Sequence, residues 1–148
     1  MRFLADQMLG RLAKWLRILG YDTLYSNAWS DAEIARLARA EGRVLLTRDT
    51  RLLARRGLKG LYVSSEDLVE QIGQLAREGY LDSRPPFTRC LRCNVSLEPV
   101  DKPQVLGQVP PYVYETQDEF RRCPQCGRLF WRGTHWQRMV ERVSGSAR

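Results

Sequence analysis

Lysine is scarce in this chain: Lys14, Lys59 and Lys102 are the only three, against 21 arginines. Histidine is scarcer still. His135 stands alone, so no second imidazole is there to share acid and base work with it. Cysteine is confined to four positions, and no apolar run approaches the roughly 18 residues of a membrane span. The opening Met1-Arg2-Phe3-Leu4-Ala5-Asp6 meets an acid too early for a secretory signal. These absences lead us to expect a soluble, cytoplasmic protein with no membrane partner.

What is present is a basic chain of 148 residues, 43% hydrophobic, with a formal charge of +7. Its length suffices for one core plus a small module that needs its own staple. A basic excess suits a polyanionic partner, because guanidinium grips phosphate bidentately where an ammonium offers a point charge. Arginine in place of lysine also follows from genomic base composition, and charged runs are commonly solvated faces. Composition therefore leaves nucleic-acid binding open.

Periodicity supplies the scaffold. Residues 2 to 5 form a short apolar run. From Met8 to Leu19 the residues Leu9, Leu12, Leu16 and Leu19 recur at helical spacing, with Gly20 as the stop. Arg11, Lys14 and Arg17 share the opposite face at about 100° per residue. Thr23 to Ser26 reads as a second strand. Ser30 or Asp31 caps a helix with Ile34, Leu37 and Ala38 inward, ending at Glu41-Gly42. Arg43 to Thr47 is a buried third strand, followed by a short helical stretch through Leu52 and Leu53. Gly60 to Ser64 is a fourth strand, and Ser65-Glu66-Asp67 opens a helix with Leu68, Val69, Ile72, Leu75 and Ala76 facing inward. Strand and helix alternating four times predict an α/β fold, three layers with a central parallel sheet and right-handed crossovers, for which we take strand order 3-2-1-4. Ser83-Arg84-Pro85-Pro86 breaks the pattern. The expected boundary lies near residue 84, giving units 1–84 and 85–148.

The second unit carries Cys90-Leu91-Arg92-Cys93-Asn94 and Cys123-Pro124-Gln125-Cys126-Gly127. Two C-x-x-C knuckles suit tetrahedral Zn(II), and Asn94 and Gly127 can take the left-handed conformation that closes each turn. The 29 residues between the knuckles have room for a β-hairpin excursion. Four thiolates leave no open position for water, so the zinc is expected to be structural. Paired disulfides are the alternative, and they suit a secreted chain better than this one. Around the knuckles Arg89, Arg92, Arg121, Arg122, Arg128 and Arg132 interleave with Phe120, Phe130, Trp131 and Trp136. That mixture suits phosphate contact and base stacking, or else the aromatics fill the ribbon's small core. Trp136, Met139, Val140 and Val143 make a helical stripe that a ribbon alone cannot bury.

Asp6, Asp31 and Asp49 each fall where a strand gives way to a loop or helix. The carboxyl ends of parallel strands share one edge, so acids scattered along the sequence can converge there. Three carboxylates holding two divalent ions clamp the attacking and leaving oxygens of a phosphodiester displacement, and hard Mg(II) or Mn(II) prefers such oxygen ligands to His135 or the cysteines. Each acid also has a local role open to it: Asp31 and Asp49 as helix caps, Asp6 as a turn acceptor.

The segments Phe3-Leu4-Ala5-Asp6-Gln7-Met8-Leu9-Gly10-Arg11-Leu12, Leu19-Gly20-Tyr21-Asp22-Thr23, Asp31-Ala32-Glu33-Ile34 and Val44-Leu45-Leu46-Thr47-Arg48-Asp49 resemble the PIN-like ribonuclease domain with an attached zinc ribbon, the Mut7-C RNase family. Cys123-Pro124-Gln125-Cys126-Gly127 and the following Phe130-Trp131-Arg132-Gly133-Thr134-His135-Trp136 resemble its second half. The resemblance implies metal-dependent RNA cleavage with Asp6, Asp31 and Asp49 at the acidic positions. It leaves a fourth acid unassigned, since Thr50-Arg51 follows Asp49 where some relatives carry a further Asp; Asp67, Glu33 and Glu66 are the candidates, Asp67 the best placed. Arg11, Lys14 and Arg17 begin one turn after Asp6 and can track an RNA backbone. Arg48 can stabilise transition-state charge or pair with an acid, and Arg132 and His135 are candidate RNA contacts. The expected partner is RNA, with tRNA or another structured RNA as a candidate. Two other classes stay open: a non-catalytic RNA- or ribosome-binding zinc-ribbon protein, and a receiver-like domain, which lacks here its paired early acid and late Lys.

Overall fold

The computed structural model describes residues 1–133 together with Gln137, Arg138, Val140, Glu141 and Arg142. Strands β1 (Phe3–Ala5), β2 (Thr23–Tyr25), β3 (Val44–Thr47) and β4 (Lys59–Tyr62) pair in parallel, and between them lie α1 (Gly10–Ile18), α2 (Asp31–Glu41) and α3 (Thr50–Leu53). Helix α4 (Leu68–Arg77) follows β4. A short 3-10 turn, Gln7–Leu9, forms the first part of the predicted Met8 helix.

The strand order is β2-β1-β3-β4, which corrects the expected 3-2-1-4. The reason lies in what each strand can expose. All four residues of β3 are buried, and so are all three of β1, whereas β4 is mostly exposed and β2 only partly buried. Placing Val44-Leu45-Leu46-Thr47 at an edge would leave apolar side chains and unpaired backbone in water, so β3 takes a central place and β2 an edge. The chain thus steps from β1 to β2 on one side and crosses back over β1 to reach β3. With right-handed crossovers the helices must then lie on opposite faces. Indeed Phe3, Ala5, Val44 and Leu46 pack with α1 and α4, while Leu4 and Leu45 pack with α2 and α3. Alternate residues of one strand thus feed two cores. Each fully buried Leu or Phe contributes on the order of 2 kcal/mol.

Two helix ends follow the sequence closely. Ser30, not Asp31, caps α2: its hydroxyl accepts from Glu33 N–H at 3.2 Å, and the Glu33 carboxylate accepts from Ser30 N–H at 3.3 Å. Gly42, with φ of 63°, ends the same helix in the left-handed region.

Beyond the Pro85-Pro86 break, β5 (Glu98–Val100), β6 (Phe120–Arg122) and β7 (Leu129–Phe130) form an antiparallel sheet. The excursion between the knuckles is more than the expected hairpin. Between β5 and β6 come a 3-10 turn, Lys102–Val105, and helix α5 (Pro111–Thr116), because Val105, Val109 and Val113 are needed to cover Phe120. Trp131 packs on Phe120 with ring centroids 6.3 Å apart, so these two aromatics do belong to the ribbon's core. Of the terminal apolar stripe, Val140 is partly buried against the α1 and α4 core; Trp136, Met139, Val143 and His135 lie outside the described residues. No helix among the described residues is long and apolar enough to cross a membrane.

The two sheets are joined at the amino-terminal end of the parallel one. Asn94 Oδ1 accepts from Thr23 N–H at 3.0 Å, and its Nδ2 donates to Asp22 Oδ1 at 2.7 Å. Asp22 also accepts from Arg43 at 2.8 Å, and Arg43, itself buried, donates to the Phe3 carbonyl at 3.1 Å. Arg17 does not stand on the exposed face expected for it. It is buried, donating to the carbonyls of Thr23 at 2.8 Å, Leu91 at 2.8 Å and Arg92 at 3.3 Å. On the helical wheel it lies about 120° from Arg11 and only about 40° from the buried Ala13, so the first knuckle can close over it.

Candidate metal sites and the acidic sheet edge

The cysteines come together first. Their four sulfurs lie within 4.8 Å of one another, the one group of three or more candidate ligands to do so among the described residues. Zn–S bonds of about 2.3 Å set tetrahedral sulfur pairs about 3.8 Å apart. Cys90 Sγ and Cys126 Sγ are separated by 3.9 Å, and all four thiols are free of disulfide. Each knuckle closes as its sequence predicts: Asn94 and Gly127 adopt φ of 61° and 76°, and their amides donate to the carbonyls of Cys90 and Cys123, both at 2.9 Å.

Backbone amides aim at the sulfurs. Cys93 N–H donates to Cys90 Sγ at 3.3 Å, while the amides of Gln125 and Cys126 donate to Cys123 Sγ at 3.4 Å. In the metal-free tetrad, burial pushes the Cys90 thiol up and Cys93 up to about 12. Burial also works against the Cys123 thiolate, yet the two amides together with hydrogen bonds from the neighbouring Cys126 and Cys90 thiols outweigh it and draw that thiol down to about 7. Four thiolates this close repel one another unless a cation holds them. The donor set fits Zn(II), and the geometry fits a closed structural site.

At the other end of the parallel sheet, Asp6 directly follows β1 and Asp49 comes two residues after β3. Since β1 and β3 are neighbours on either side of the switch in strand order, their carboxyl ends frame the crevice where open α/β sheets hold ligands. The two acids are linked through Thr47. Its hydroxyl donates to Asp6 Oδ2 at 2.8 Å and accepts from Asp49 N–H at 2.9 Å. Asp6 Oδ1 accepts from Gln7 N–H at 2.7 Å, and the residue is only 4% exposed. Asp49 Oδ1 accepts from Arg51 N–H at 2.9 Å, capping α3, and Oδ2 has no partner among the described residues. Asp31 stands exposed as the first residue of α2, after the loop that leaves β2, and its carboxylate makes no hydrogen bond or ion pair among the described residues. The three acids thus follow three consecutive strands. Contacts tie Asp6 to Asp49 but neither to Asp31.

The remaining candidates separate by partner. Glu33 is held in the capping box with Ser30. Asp67 caps α4, its Oδ2 accepting from Glu70 N–H at 3.0 Å. Arg48 donates to the Val63 carbonyl at 3.0 Å and lies 3.8 Å from Glu66, so it braces the end of β4 and pairs with none of the three aspartates. Arg11 and Lys14 are exposed on α1, and Arg132 lies over the Phe87 ring at 5.5 Å. Tyr25 donates to the Gln7 carbonyl at 2.9 Å and packs where a side chain on Gly10 would have to go, bracing the turn after Asp6. Thr47 and Tyr25 were missed in the sequence. The signal for Thr47 was present: one hydroxyl closing an otherwise apolar, buried strand must find partners.

The Mut7-C RNAse domain family matches residues 1–143. The chain belongs to that family. Neither the curated proteins nor the solved structures contain a match. Membership of the Mut7-C RNase family points to a nuclease or other RNA-related role, and the family's span takes in both the acidic edge and the cysteine tetrad.

Proposed function

We propose that this protein is a metal-dependent ribonuclease of PIN type, hydrolysing RNA phosphodiester bonds at the carboxyl edge of the parallel sheet. The observation that carries the reading is the Asp6–Thr47–Asp49 link at the strand-order switch of a Mut7-C RNase chain. Residues 1–84 would form the nuclease unit and 85–148 the ribbon with its terminal helix.

The donor set suits Mg(II) or Mn(II). Among the described residues, Asp31 has both carboxylate oxygens unengaged and Asp49 has one, while each Asp6 oxygen accepts a single hydrogen bond and so keeps a lone pair. Hard oxygen ligands are what these ions prefer. Asp6, Asp31 and Asp49 would hold the metal, and Asp67 is the first candidate for a fourth acid. When bound, such ions lower the pKa of water and stabilise charge on the attacking and leaving oxygens.

The chain's own residues do the rest. Thr47 holds Asp6 in one rotamer, and its bond to the Asp49 amide fixes the spacing of the two acidic turns. Arg11 and Lys14 neutralise phosphates of the RNA strand near the acids, which a net charge of +7 also favours. Burial of Asp6 keeps bulk water from competing for its oxygens.

Cleavage of 5′-labelled single-stranded and structured RNAs, tRNA among them, by zinc-loaded protein tests the reading. The expected result is turnover that needs added Mn(II) or Mg(II). Salt-dependent RNA binding with no turnover under any metal would replace the nuclease with an RNA-binding ribbon protein.

A further inference from the structure

We infer that the groove between the end of α1 and β7 is a seat for one unstacked RNA base, away from the acids. The inference rests on the ribonuclease reading. The groove has a volume of about 180 Å³ and is lined by Ile18, Phe87, Leu91, Phe130, Trp131 and Arg128 among others. A cavity of about 150 Å³ accepts a benzene ring, so this one has room for a heteroaromatic ring of nucleobase size.

Its chemistry is that of a base platform. Three aromatic side chains, Phe87, Phe130 and Trp131, line it, and Arg128 stands exposed beside them with its guanidinium in no hydrogen bond or ion pair among the described residues. Arg132 lies over the Phe87 ring at 5.5 Å and adds a second cation. Apolar walls alone fit many occupants. A guanidinium beside aromatic rings fits a base carrying its own phosphate, and sequence-tolerant strand binding is built from these two elements.

Position favours the same occupant. Arg11, Lys14 and Ile18 follow an i, i+3, i+7 pattern and share one stripe of α1. The stripe starts one turn after Asp6, carries two exposed cations and ends at Ile18 in the groove wall. Helical rise makes the distance from Arg11 to Ile18 about 10 Å. One RNA strand can therefore run along α1, its backbone on Arg11 and Lys14, with a base in the groove and another stretch at the acids. The zinc tetrad enters here as architecture: Leu91 belongs to the first knuckle, and Arg128 follows the second.

The test compares two 5′-fluorescein ten-unit strands of equal charge, one wholly abasic and one with a single 2-aminopurine among nine abasic units. Binding is read by anisotropy and 2-aminopurine fluorescence at low salt, with zinc-loaded protein and no added divalent ion. The base-bearing strand is expected to bind about fivefold tighter or more, with quenching on stacking. Phe130→Leu and Arg128→Gln, each checked for full zinc content and an unchanged melting temperature, should each reduce that preference to below about twofold. Equal affinity for the two strands, or a preference that survives both substitutions, overturns the groove assignment while metal-dependent cleavage of ordinary RNA still upholds the nuclease. Failure to bind or cut any RNA would overturn both.

Discussion

Asn94 serves two structures at once, and replacing it with glycine separates them. As the residue after the second cysteine of its knuckle it has φ of 61°, which glycine adopts without steric cost. Its side chain joins the knuckle to the parallel sheet through Asp22 and Thr23, at 2.7 and 3.0 Å. Asn94→Gly therefore leaves the zinc turn intact and removes only the join. A hydrogen bond to a charged group contributes about 1.5–3 kcal/mol and a neutral one about 0.5–1.5. The pair comes to roughly 2–4.5 kcal/mol, and because Asn94 and Asp22 are half-buried, water reaching the vacated space brings the loss to about 2–3. In a chain of 148 residues that lowers the melting temperature by about 5–10 °C. The assay is thermal and urea unfolding at saturating zinc, with zinc counted in each preparation. Asn94→Ala should lose more, since alanine keeps a Cβ in the left-handed region without the short polar side chain that lets asparagine adopt it. A loss below about 0.5 kcal/mol for Asn94→Gly, or one accompanied by lost zinc, would refute the division of labour.

Three further outcomes follow from the geometry. Thr47→Val removes both bonds of a buried hydroxyl and should cost about 2 kcal/mol; it should also slow RNA cleavage more than it changes KM, whereas Thr47→Ser restores the rate. Asp82 is held at about 2 chiefly by the Arg84 guanidinium 2.6 Å away, aided by the Tyr21 hydroxyl and opposed by burial. With a folded pKa below the unfolded one, its stabilisation is complete above about pH 4 and fades as pH falls toward 2. Asp82 is exposed and Arg84 only half-buried, so solvent screening keeps the effect under about 1 kcal/mol. The difference in urea midpoint between wild type and Asp82→Asn should narrow between pH 5 and pH 3. Finally, zinc rebinding to chelated protein should release more protons at pH 6 than at pH 8, because metal-free Cys123 ionises near 7 while Cys90 and Cys93 stay protonated throughout. Equal release at both pH values would contradict the tetrad's electrostatics.

Local signals carried most of the fold. Helical spacing from Leu9 to Leu19, a serine three residues before Glu33 and a glycine at position 42 describe events within a turn or two of chain, and those elements appear where their residues place them. Strand order depends on pairing between distant segments, and the hint was burial: Val44 to Thr47 offers nothing that belongs at an edge. Arg17 was misread because it was grouped with Arg11 and Lys14, although its helix angle lies nearer the buried Ala13, and nothing local showed that the first knuckle would cover it. The cysteine spacing identified the tetrad, yet nothing local showed that Asn94 would also grip β2. Asp6 and Asp49 were legible as acids at the ends of β1 and β3, whereas Asp31 lies six residues past β2 in the first turn of α2; the Thr47 bridge needed the β1–β3 register of Ala5 with Leu46 to bring it beside Asp6.

The central claim is that Asp6 holds a metal for RNA cleavage, and single-turnover cleavage by wild type and Asp6→Asn in saturating Mn(II), with equal zinc content verified, tests it most directly. The account predicts a rate loss of about a hundredfold or more in a folded Asp6→Asn protein that still binds RNA. An Asp6→Asn protein that cuts RNA as fast as wild type, with the same metal dependence, would contradict it.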